Sequence, residues 1–162
     1  MEIEPAALDD LDALVEGWVT LAREQRDHGS HLRAEPNRET MRESLAQSVV
    51  DDGVLVARDG GEVVGFVTFE IERGRLEATV TRGVVPYLFV VPDRRDEGVG
   101  AELLDAAETR LVERGADVVS LDVMADNEAA RRFYRRHGYG PYRVTMEKSA
   151  SDESDTHSRD DA

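Results

Sequence analysis

Apolar and polar positions along this chain repeat with two periods. Leu11, Leu14, Val15, Trp18 and Ala22 recur at helical spacing, with Asp9 or Asp10 ahead of them as a cap. Met41, Leu45 and Val49 mark a second helix that starts after Asn37, beyond a polar connection holding His28, His31 and Pro36. Val54 to Arg58 and Val63 to Ile71 read as strands joined by Asp59-Gly60-Gly61, a hairpin signal, with Gly65 marking a bulge or close packing. Ile3 suits a short edge strand ended by Pro5. Glu70 to Arg82 is polar and reads as an extended hairpin or a loop. Val84 to Val91 is a buried strand closed by Pro92, and Gly100, Leu103, Leu104, Ala107 and Leu111 line one face of a third helix that stops at Gly115. A strand at 118–123, a helix from Glu128 to His137 ended by Gly138, and a last strand from Tyr142 to Glu147 that closes the sheet complete the order. The pattern predicts one mixed α/β domain over residues 1–148, a mostly antiparallel sheet flanked by helices with a βαβ unit late in the chain. Residues 149–162 lack apolar content and read as an acidic disordered tail.

The centre of this pattern is the turn Arg94-Arg95-Asp96-Glu97-Gly98-Val99-Gly100, which joins a strand to a helix. Its glycines let backbone approach a ligand closely, and the first helical turn offers unpaired N–H groups at the positive end of the macrodipole. Such a turn suits phosphate. The dinucleotide fingerprint requires a third glycine where this chain has Leu103, and a triphosphatase loop requires Gly-Lys-Ser/Thr, which is absent. An ordinary strand-to-helix connection needs no ligand at all.

Downstream, Asn127-Glu128-Ala129-Ala130-Arg131-Arg132-Phe133-Tyr134 runs on to Gly138-Tyr139. Together the two segments resemble the GNAT superfamily of acyl-CoA-dependent N-acyltransferases. Arg95-Asp96-Glu97-Gly98-Val99-Gly100 matches its pyrophosphate signature, Arg/Gln-x-x-Gly-x-Gly/Ala, and Asn127 to Tyr139 matches its second signature. The resemblance implies transfer of an acetyl group from acetyl-CoA to a primary amine, a small amine or a protein or peptide N-terminus, by direct attack in a ternary complex. It places the pyrophosphate on backbone N–H groups from Arg95 through Asp96, Glu97, Gly98, Val99 and Gly100 to Ala101. It places the pantetheine along Leu88, Phe89 and Val90, with Val90 N–H polarising the acyl carbonyl, while Asn127 at the helix start can cap the helix or hydrogen-bond the pantetheine, two compatible roles. Tyr134 matches the family tyrosine that protonates the departing thiolate; packing beside Phe133 is the alternative reading. Asp122, twelve residues earlier, stands where ribosomal-protein N-terminal acetyltransferases carry a Glu, and is the candidate general base or else a surface carboxylate. Glu70 and Glu77 are fallback bases. His28 and His31 fall where the family lines the acceptor side, although histidines without nearby acidic or cysteine partners are more often exposed loop residues. Asp96 and Glu97 depart from the family habit, and their side chains are expected to point outward. A non-catalytic acyl-CoA-binding module and a dinucleotide-dependent oxidoreductase stay open as other classes.

Composition adds three constraints. The 162 residues contain no cysteine, so thiol nucleophiles and disulfides are excluded, and no metal is called for. No apolar run approaches a membrane span and no basic-apolar leader is seen, so the expectation is a soluble, cytoplasmic protein without a membrane partner. Net charge is -15, from 35 acidic and 20 basic residues, of which Lys148 alone is lysine. That balance argues against nucleic acid as partner. It resembles proteins of halophilic organisms that keep molar salt in the cytoplasm, where a Debye length of about 3 Å screens self-repulsion. Self-association into a homodimer is left open.

Overall fold

The computed structural model describes residues 1–151. Strand β1 (Glu2–Pro5) leads through a 3-10 turn into α1 (Leu11–Arg26), and α2 (Arg38–Val50) follows. The hairpin β2 (Val54–Asp59) and β3 (Glu62–Thr68) turns on Gly60 and Gly61, both at positive φ (58° and 85°), as its sequence anticipates. Then come β4 (Glu70–Ile71), β5 (Arg82–Val84), β6 (Leu88–Val90), α3 (Val99–Glu113), β7 (Val118–Ser120) and α4 (Glu128–Arg136). Among the described residues no helix is long and apolar enough to cross a membrane.

The order β1-β2-β3-β6 is antiparallel throughout; β4-β5-β7 pairs antiparallel and then parallel. Alternation along β2 feeds two cores. Val54 and Val56 face Leu14, Trp18 and Leu45 of α1 and α2, whereas Leu55 and Ala57 face Leu103, Leu104 and Leu111 of α3. Register slips between Ala57 and Arg58, so the bulge lies beside Gly65. A Cβ on Gly65 would sit 2.7 Å from the Phe89 carbonyl oxygen, so close backbone approach is the second reason for that glycine. Gly17 does the same for α1: its Cβ would meet the rings of Phe66 and Phe89 at 2.8 and 2.9 Å.

Four expectations need correction. The strand over 84–91 is broken. Val85 N–H donates to the Ser120 carbonyl at 3.0 Å, yet the Tyr87 carbonyl already accepts from Thr68 N–H at 2.9 Å, so the chain changes partner across Pro86. The strand at 118–123 ends at Ser120 for the same reason, because beyond that point β6 has left it. Asp10 does not cap α1 with its side chain. It accepts from Ala7 N–H at 2.9 Å and from both terminal nitrogens of Arg58 at 3.0 Å, which holds its carboxyl below the usual range. Finally, Tyr142 to Glu147 forms no strand and closes nothing; it runs exposed past the sheet. The segment 149–162 falls mostly outside the described residues.

Candidate functional site

Where β6 and β7 part, a cleft of about 670 Å³ opens. One wall is the edge of β6. Tyr87 C=O and Val91 N–H both bond β3, the latter through Val64 C=O at 2.9 Å. Along an extended strand, alternate residues point their N–H and C=O to opposite sides. Leu88 and Val90 therefore turn theirs away from β3, toward the cleft. Among the described residues no strand pairs this edge, and it can accept an extended chain as an added strand.

The floor is the first turn of α3. Gly98 takes the left-handed conformation (φ 86°) and supplies no side-chain cap. The first helical bond runs from Glu102 N–H to Gly98 C=O at 3.1 Å, so the N–H groups of Val99, Gly100 and Ala101 precede the ladder. Nothing lies within 4 Å of a Cβ built on Gly98; one on Gly100 would stand 3.6 Å from the Phe133 ring and 3.7 Å from Val90. Backbone donors, open space and a helix dipole converge there, which fits a phosphate group. Asp96 also holds positive φ (64°), a conformation aspartate tolerates better than most residues and one that sequence inspection did not signal.

The opposite wall is the chain from Asp122 to Met124 together with α4. Asn127 caps α4, its side-chain oxygen accepting from Ala130 N–H at 3.2 Å, and it also lines the cleft. Tyr134 lines it as well, its ring edge-on to Phe133 at 5.2 Å, and burial pushes its phenol up to about 12. The phenol thus keeps its proton across the neutral range. Packing and cleft lining are both true of this tyrosine. Asp122 is exposed on the cleft wall.

Not every anticipated residue is gathered here. Glu70 and Glu77 are exposed and line no part of the cleft. Glu97 lies outside it too, accepting from Arg94 Nε at 2.9 Å, while Asp96 is exposed at the rim. Arg94, which is half-buried and does line the cleft, also reaches Asp59 at 2.7 Å. His31 is exposed, 2.9 Å from Glu147. His28, by contrast, lines the cleft 3.5 Å from Asp126.

Arg95 is placed unexpectedly. Its Nε donates to Val90 C=O at 2.9 Å, and Nη1 and Nη2 reach the Glu24 carboxylate at 2.7 and 2.9 Å. Its side chain lies across the open edge of β6, anchored to α1. Sequence reading missed Glu24, although Gly17, Leu21, Glu24 and His28 stand at i, i+4, i+7 and i+11 and mark the helix face toward the cleft.

Residues 16–139 of the chain match a known family model, acetyltransferase (GNAT) family. The chain belongs to the GNAT acetyltransferase family. It is 36% identical over 134 residues to an uncharacterized N-acetyltransferase of Archaeoglobus fulgidus, covering 83% of this chain and 89% of that protein. A mycothiol acetyltransferase of Clavibacter sepedonicus is also 36% identical, over 81% of this chain but only 40% of its own length. The crystal structure of a GCN5-related N-acetyltransferase from Ralstonia eutropha has a TM-score of 0.75, covering 93% of this chain and 99% of that one. At 23% identity, that likeness shows the shared GNAT fold. Among the described residues of this GNAT protein, no group of three or more His, Cys, Asp or Glu is arranged to hold a metal ion.

Proposed function

We propose that this GNAT protein transfers an acetyl group from acetyl-CoA to a primary amine by direct attack. The observation that carries the reading is the convergence, in one cleft, of the free β6 edge, the uncapped start of α3 and the Tyr134 phenol. In this reading the N–H groups of Val99, Gly100 and Ala101 take the pyrophosphate, while Leu88 and Val90 pair with the pantetheine amides. Val90 N–H faces the acyl carbonyl, and one such donor lowers a barrier by about 3 kcal/mol. Asp122 accepts the proton of the incoming ammonium, directly or through water. The nitrogen–carbon bond forms as the carbon–sulfur bond breaks, and Tyr134 donates its proton to the leaving thiolate. Burial pushes the Tyr134 phenol up to about 12, so it is still protonated when the thiolate develops, and the same desolvation raises the basicity of that thiolate above the free-thiol value.

Leu21, Glu24, Gln25 and His28 of α1 and its C-terminal extension face the remaining part of the cleft and form the acceptor side. Carboxylates at Glu24, Asp122 and Asp126 favour a cationic acceptor, a small amine or a peptide N-terminus. The single domain spans residues 1–148 and works in a cytoplasm of high salt, where arginine-rich ion pairs and a net charge of -15 are tolerated. Nucleic acid is not a partner in this reading, because a net charge of -15 repels phosphate.

The test is an acceptor screen with acetyl-CoA, reading thiol release. The chain has no cysteine, so a thiol reagent meets no protein background. Amine-dependent release supports the reading. Acetyl-CoA binding without release from any amine, peptide or protein acceptor would leave a binding module instead.

A further inference from the structure

The Arg95 guanidinium fills a slot built for a cation. It lies between the Glu24 carboxylate, bonded at 2.7 and 2.9 Å, the Val90 carbonyl, bonded at 2.9 Å, and the face of the Phe89 ring, whose centroid is 5.7 Å away. A carboxylate, a carbonyl oxygen and an aromatic face are each attractive to positive charge. Glu24, Phe89, Val90 and Arg95 all line the cleft, with Asp122 on the opposite wall. Among the described residues, Arg95 is the one ion-pair partner of Glu24.

Arg95 cannot keep these partners once acetyl-CoA occupies the cleft as assigned above. The pantetheine amides need the Val90 carbonyl. The pyrophosphate, on N–H groups that begin four residues further along the chain, draws the guanidinium, because phosphate accepts the same forked pair of bonds as a carboxylate. Its two negative charges compete with the single charge of Glu24. Glu24 then faces the cleft without its cation, and the slot stands open beside the acceptor. The reacting nitrogen is not the group to fill it. That nitrogen gives its proton to Asp122 and attacks as a neutral amine. The slot suits a group that stays charged throughout the reaction.

We propose that Glu24 receives a second, non-reacting cationic group of the acceptor after acetyl-CoA has drawn Arg95 away, so that the acceptor is a diamine or another amine bearing a second positive charge. This rests on the acetyl-transfer reading and names its substrate class. Cofactor and acceptor then tighten each other by one common factor. The ion pair that must open is more than a third exposed on both sides, which sets that factor at about fivefold.

Calorimetric titration with CoA, which carries no acetyl group and so permits no turnover, reads the coupling at about 0.05 M salt. The probes are the diamine putrescine and butylamine, which has the same carbon chain and one cation. Excess putrescine should lower the CoA Kd of the parent about fivefold, and butylamine should leave it nearly unchanged. In Glu24→Gln the putrescine effect should vanish, because the slot has lost its charge. In Arg95→Ala it should vanish for the opposite reason: the slot is already open, and putrescine without CoA should bind about fivefold more tightly than it binds the parent. A purely structural ion pair would produce neither change. A parent whose CoA affinity ignores putrescine overturns the proposal, as does an equal effect of the two amines or an effect that persists in Glu24→Gln. Each of those results leaves acetyl transfer standing, whereas a parent that binds no CoA overturns both.

Discussion

Replacing Glu24 by Gln should tighten acetyl-CoA binding, although no part of Glu24 is assigned to the cofactor. Arg95 crosses the β6 edge and bonds the Val90 carbonyl, a group that an added strand would need. Glu24 holds it there through two bonds of 2.7 and 2.9 Å, with both side chains more than a third exposed (38% and 39%). Ion pairs of that exposure are worth about 0.2–1 kcal/mol, and bidentate geometry favours the upper end. Gln keeps the shape and loses the charge, so opening the edge becomes easier by up to about 1 kcal/mol, equivalent to roughly a fivefold lower Kd. Freed Arg95 can turn toward the α3 start, and removing a carboxylate also helps a phosphate dianion. All contributions share one sign. Calorimetric titration with acetyl-CoA at about 0.15 M salt, where screening is moderate, reads the change. In an Arg95→Ala background the same substitution should do much less, which isolates the pair. Unchanged or weaker affinity in Glu24→Gln would refute the idea that Arg95 must be released.

Tyr134→Phe should keep acetyl-CoA affinity while turnover falls by about 10²–10⁴-fold, the usual worth of a positioned proton donor. Because burial holds the Tyr134 phenol near 12, the donor stays protonated as pH rises past the ordinary tyrosine value; a rate lost near pH 10 with the same assignment to Tyr134 would contradict this. Asp122→Asn should slow the reaction most where the acceptor amine is still protonated, and raising pH should partly restore it but not Tyr134→Phe. Parental rates in both variants across the range would remove both roles. If the acidic surface is a salt adaptation, the melting temperature should rise between low and molar potassium chloride; a flat or falling value would end that reading.

Most of the scaffold was legible in the sequence because helical and strand periods are written in local residue order. The face of α1, the hairpin at Gly60-Gly61, the start of α3 and the Asn127 cap each depend on residues close in sequence. What escaped depended on distant partners. The break at Pro86 is set by competition between β3 and β7 for the same strand. Asp10 abandons its expected cap because Arg58, far along the chain, offers two hydrogen bonds. The Glu24–Arg95 pair joins α1 to the turn before α3, and nothing near either residue announces it. Residues 142–148 alternate as a strand would, but alternation cannot say whether a neighbouring strand is there to pair with, and among the described residues none pairs with them.

The central claim is that the start of α3 holds the acetyl-CoA pyrophosphate. Gly100 tests it because its Cβ would point between Phe133 and Val90, with ordinary contacts at 3.6 and 3.7 Å, so the backbone itself is unstrained by a side chain. A tryptophan there fills the space between the β6 edge and α4. Calorimetry should show acetyl-CoA binding to the parent protein and none to Gly100→Trp, with matching circular dichroism spectra. Equal affinity in the two folded proteins would place the phosphates elsewhere and contradict the account.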